Sequence, residues 1–90
     1  MERIHVIYEG RVQGVWFRAN CQRKAVELGV VGWVRNLPDG RVESVAEGGR
    51  KELEELLRWC RNDQPHALVK GTVVEWGRPS REFRDFRIIR

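Results

Sequence analysis

Ninety residues, 41% of them apolar, can bury one hydrophobic core and not two. Fourteen Arg and three Lys against thirteen acids leave a formal charge of +4, which favours anionic partners over cationic ones. No apolar run approaches the roughly 20 residues of a membrane span, and the charged opening Met1–His5 lacks the apolar stretch of a secretory leader, so a cytoplasmic location is expected.

The alternation of Ile4, Val6 and Tyr8 against His5 and Glu9 predicts a strand over Ile4–Gly10 with one buried face. From Phe17 the period changes: Phe17, Cys21, Ala25 and Leu28 recur at helical spacing, and Gly29 is placed to end the helix. A second strand, Val31–Asn36, leads into Leu37–Gly40, whose Pro, Asp and Gly suit a reversing turn, and a third returns over Arg41–Gly48. Arg50–Asn62 carries Leu53, Leu56, Leu57 and Cys60 on one stripe, with Glu54 and Arg58 spaced to pair on the outer face. A long strand over Ala67–Trp76 and a short one over Asp85–Ile89 complete a βαββαβ order with a tail strand. Cys21 and Cys60 lack metal-ligand spacing; they read as small core residues, with pairing open if the two helices lie side by side.

In a split βαβ arrangement the third strand slots between the first two, which then run the same way. Their carboxyl ends, Gly10 and Asn36, share one edge with the start of the first helix, and Gly48-Gly49 falls on the opposite edge.

The two helix amino ends differ in charge. The second carries Glu52, Glu54 and Glu55, which suit the positive end of a helix dipole and repel anions. The first opens with Arg18 and has no acid until Glu27, so either Arg18 turns into solvent or an anion sits there. Gly10 and Gly14 permit the loop to bend until its N–H groups converge as an anion-binding nest, with Arg18 adding a two-pronged donor and Val15 and Phe17 anchoring the loop in the core. The plainer alternative is that both glycines only turn the chain. Asn36 lies on the same edge, with an amide able to hold a water beside a bound phosphoryl group, or simply ends a strand. Trp16, Trp33, Trp59 and Trp76 all read as core or core-edge residues; Trp16 alone lies in the loop, where it could instead shield the cradle or touch substrate. His5 reads as a mid-strand residue and His66 as the start of the fourth strand, and no metal cluster, catalytic triad or nucleotide P-loop is evident.

Two segments, GRVQGVWFR (Gly10–Arg18) and LGVVGWVRNLPDGRVESVAEG (Leu28–Gly48), resemble the signature regions of the acylphosphatases, and the likeness extends along residues 1–90 as one domain. The resemblance implies an α+β ferredoxin-like sandwich, two helices on one mixed sheet, that hydrolyses acyl phosphates to carboxylate and inorganic phosphate with no metal or other cofactor. It implies Arg18 and Asn36 as catalytic residues, the former binding phosphate and the latter orienting water. The cradle comes from Gln13, Gly14, Val15, Trp16, Phe17 and Arg18. Where the family shows Gly-Pro-Pro followed by a small residue and Val, this chain has DQPHALV (Asp63–Val69), which keeps Pro65, Ala67 and Val69, and the resemblance fixes neither the fourth strand's start nor a role for His66. The expected partners are a small acyl phosphate and inorganic phosphate as product and inhibitor, with a monomeric protein and neither nucleic acid nor membrane. A βαββαβ RNA-binding domain carries stacked aromatics on its third strand, and Arg41–Gly48 has none. A non-catalytic anion-binding module needs the loop and Arg18 and has no use for Asn36.

Overall fold

A computed structural model describes residues 1–90. Its elements are β1 (Glu2–Arg11), α1 (Phe17–Leu28), β2 (Val31–Asn36), β3 (Val42–Gly48), α2 (Arg50–Asn62), β4 (Leu68–Gly77) and β5 (Phe86–Ile88). Both helices and β2 keep their expected bounds. β1 is longer at each end than alternation suggests, because β3 pairs with it from Glu2 and β4 pairs with it out to Arg11. β3 begins one residue late, since Arg41 is still in the turn with its N–H and guanidinium on the Asp39 carboxylate.

The sheet order is β4-β1-β3-β2-β5, antiparallel throughout except between β2 and β5. With β3 between them, β1 and β2 run the same way, and α1 makes the crossover. Strand alternation sends Ile4, Val6, Tyr8, Val34, Val42 and Ala46 to the face that the helices cover, where they meet Phe17, Cys21, Ala25, Leu53, Leu56 and Cys60. This is the ferredoxin-like arrangement, with both helices on one layer of sheet.

Gly10 does different work from the bend expected of it. It lies within β1 at a break in register, at φ 128°, and a Cβ there would stand 2.2 Å from the Leu68 carbonyl oxygen. The glycine admits the close approach of β4, and the bulge turns the end of β1 toward the loop. The charge pairing on α2 also differs: Arg58 bonds Glu55 and Asp63, and Glu54 faces Arg50. Helix geometry permits both i+3 and i+4 partners, and Asp63 beyond the helix end draws Arg58 away from Glu54. Cys21 and Cys60 are buried free thiols with their Sγ atoms 3.0 Å apart, so the helices do lie side by side. Burial pushes the Cys21 thiol well above its usual pKa, which makes it unreactive.

The face opposite the helices is crossed by the segment joining β4 to β5. Glu47, one residue past core-facing Ala46, points to this face and is fully buried there. Its carboxylate accepts from the Ser80 N–H and hydroxyl, the Arg81 N–H and the Arg3 guanidinium. Those bonds fasten the segment across the sheet and deliver β5 to the side of β2.

Candidate active site

The loop between β1 and α1 is anchored at both ends. Val12 is buried, and Phe17 is buried edge-on against Tyr8 with ring centroids 5.0 Å apart. Between them Gly14 (φ 72°) and Trp16 (φ 64°) take left-handed backbone on either side of Val15, which does not. Alternating handedness turns successive N–H groups to one side, the geometry of an anion nest. The first bond of α1 runs from Asn20 N–H to the Trp16 carbonyl, and the N–H groups from Gln13 to Ala19 find no acceptor within the protein. These free donors lie next to the positive end of the helix dipole.

Arg18, half-buried in the first turn of α1, has no carboxylate partner, and that turn holds no acid. α2 has Glu52 in its first turn, so the two helix starts differ as their sequences suggest. Asn36 ends β2, opposite Val42 of β3. Its Oδ1 is buried and accepts no hydrogen bond from the protein. An orphaned buried acceptor costs about 1 to 3 kcal/mol, which a water or ligand donor at that point removes.

A pocket of about 400 Å³ is lined by Val12, Gly14, Trp16, Phe17, Arg18, Ala19, Asn36 and Ile88. Arg18 and Asn36 therefore open onto one cavity, together with Gly14, Trp16 and Phe17. Val15 does not line it and packs instead against the core. Gln13 also lies outside: its side-chain amide donates to the Leu37 carbonyl at 2.8 Å and the Arg41 carbonyl at 3.0 Å. It ties the loop to the hairpin that bears Asn36, a role that spacing does not reveal because both acceptors are backbone atoms. Val12, Ala19 and Ile88 were not anticipated as lining residues. For Ile88 a signal exists only after folding, when parallel pairing sets it opposite Val34 of β2.

Both histidines lie elsewhere. His66 is an exposed turn residue at φ 66° ahead of β4, and His5 Nε2 pairs with Glu43 at 2.7 Å. No group of three or more His, Cys, Asp or Glu side chains converges at ligand spacing, and no helix is long and apolar enough to cross a membrane. Arg18 is the one ionisable side chain in the pocket wall, whose other polar groups are the Asn36 amide, the Trp16 indole N–H and the backbone.

The acylphosphatase family model matches residues 4–88. An acylphosphatase of Methylococcus capsulatus is 54% identical over 90 residues, covering 100% of this chain and 98% of that one. Among solved structures, an acylphosphatase from Bacillus subtilis superposes with a TM-score of 0.95 at 36% identity, covering 100% of both chains. One from Coxiella burnetii gives 0.89 at 40% identity, covering 98% of this chain and 93% of the other.

Proposed function

The chain belongs to the acylphosphatase family, which makes it an acyl phosphate hydrolase, and we propose that the loop amides, Arg18 and Asn36 perform that hydrolysis without a metal. The observation that carries the proposal is the buried, unpartnered Oδ1 of Asn36 in the same pocket as Arg18.

The phosphoryl group rests in the nest. The N–H groups from Gln13 to Arg18 and the Arg18 guanidinium bind its non-bridging oxygens, where charge-assisted bonds are strongest. Asn36 Oδ1 accepts a hydrogen from the attacking water and aims its oxygen at phosphorus. As that oxygen bonds to phosphorus, the bond from phosphorus to the acyl oxygen breaks, and its electron pair leaves with the carboxylate. Both water protons stay with the product, as dihydrogen phosphate. A departing carboxylate has a conjugate acid of pKa about 4, so it leaves without protonation and the site needs no general acid. Positioning and preorganised donors then supply the rate, each donor of this kind typically contributing about 3 to 4 kcal/mol. The pocket wall offers no carboxylate, imidazole or thiolate as a metal ligand, which supports the metal-free reading.

Hydrolysis of benzoyl phosphate in excess EDTA tests the proposal. The wild type turns over under those conditions, inorganic phosphate inhibits competitively, Arg18→Ala loses about a thousandfold or more in kcat/KM, and Asn36→Ala loses kcat while keeping its affinity for phosphate. Activity that vanishes with chelation and returns with a divalent ion contradicts the metal-free mechanism. Near-normal turnover in either variant contradicts the assigned roles.

A further inference from the structure

Three of the four tryptophans are explained by their surroundings. Trp33, Trp59 and Trp76 are half-buried, and each ring lies beneath a cation: Arg35 at 5.3 Å, Lys24 at 5.8 Å and Arg50 at 3.6 Å respectively. Trp59 and Trp76 also pack against the core. Trp16, expected with the others at the core or its edge, is not there and has no such support. It is 76% exposed, has no cation over its ring and lies outside the core cluster. Its φ of 64° is a conformation that glycine adopts freely and a bulky side chain resists. Neither packing nor backbone preference accounts for an indole here, and strain of this kind is retained where a side chain has work to do.

The place of the indole suggests that work. Of the six large apolar side chains left exposed, Met1, Trp16, Val26, Leu68, Val73 and Ile88, only Trp16 and Ile88 line the pocket of Arg18 and Asn36. Phosphate oxygens need the loop amides and Arg18, which leaves the apolar wall to the other half of the substrate. At about 400 Å³ the pocket holds much more than a phosphoryl group and falls within the usual size of small-molecule sites.

We infer that Trp16 and Ile88 seat the acyl group, and that this enzyme favours aromatic acyl phosphates over acetyl phosphate. The inference rests on acyl phosphate hydrolysis at this pocket. An aryl ring stacks on the flat indole face and is covered from the side of β5 by Ile88, whereas an acetyl methyl is too small to engage both.

The test is the ratio of kcat/KM for benzoyl phosphate to kcat/KM for acetyl phosphate. The ratio falls about tenfold in Trp16→Ala, with the change mainly in KM for benzoyl phosphate, and Trp16→Phe restores most of it. Ile88→Ala shifts the ratio in the same direction and provides a second reading should Trp16→Ala express poorly. A general disturbance of the loop reduces both substrates alike and leaves the ratio where it was; that result overturns the inference. The hydrolytic reading stands apart from this outcome, because it is judged by wild-type turnover of either substrate.

Discussion

The Gln13 amide spans the gap between the phosphate loop and the hairpin holding Asn36, so the distance between cradle and water-orienting amide depends on it. Gln13→Ala removes both bonds. Each carbonyl keeps a backbone donor, Gly40 N–H on Leu37 and Leu37 N–H on Arg41, so the loss of stability is modest, about 1 to 2 kcal/mol. The larger effect falls on geometry: kcat drops on the order of tenfold or more, as expected of a slightly misplaced reacting group, while inhibition by phosphate changes little. Urea melts and steady-state kinetics check this. Weakened phosphate inhibition with kcat retained contradicts it and makes the Gln13 side chain a phosphate ligand. That Arg18 and Asn36 share one edge was legible in the sequence from topology, and Arg18 stood out because a cation at a helix start runs against local preference; Asn36 did not, since an amide is ordinary where a strand gives way to a turn. Gln13 was legible only as a loop neighbour, since a contact between a side chain and distant backbone leaves no pattern in residue types.

Among the elements, β5 shows the limit of periodicity. Its three residues contain one buried side chain, Phe86, too few for alternation to speak. β5 reaches β2 because Glu47 fastens the segment that precedes it. Burial alone raises the Glu47 pKa, but the bonds from Ser80, Arg81 and Arg3 outweigh that and hold it below the usual glutamate value. The sign follows: the folded state binds the proton less readily than the unfolded chain, so this stability is present above the unfolded pKa of about 4.3 and is lost as pH falls through the lower folded value. Glu47→Gln is expected to cost about 1 to 3 kcal/mol at neutral pH and to have a shallower decline in melting temperature between about pH 5 and 2. Thermal melts across that range decide it. Parallel declines of wild type and variant place the acid sensitivity elsewhere, with Glu43 the next candidate, since it pairs with His5 and Arg35 and its pKa is also held low. Both helices, by contrast, kept their expected bounds, because their apolar stripes recur over three turns and their ends carry Gly29 and Gly49.

For the molecule as a whole, topology makes the site. With β3 between β1 and β2, two co-directional strands end on one edge, and α1 starts there with its donors free and its first turn cationic. That much follows from element order and charge placement. The apolar half of the pocket did not, because Ile88 arrives only when the last strand has crossed the sheet. The arrangement also predicts that the site is electrostatically unfavourable when empty: Arg18 at the positive end of a helix dipole costs about 0.3 to 1 kcal/mol.

The most direct measurement is therefore the melting temperature of wild type and Arg18→Gln with and without inorganic phosphate at matched ionic strength. Without phosphate, Arg18→Gln is as stable as the wild type or slightly more so. At a hundredfold excess over Kd, phosphate adds about 2.7 kcal/mol to the wild type, roughly 10 to 20 °C for a domain of this size, and adds little to the variant. Equal stabilisation of both proteins by phosphate would contradict the account, because the anion would then bind somewhere other than the loop and Arg18.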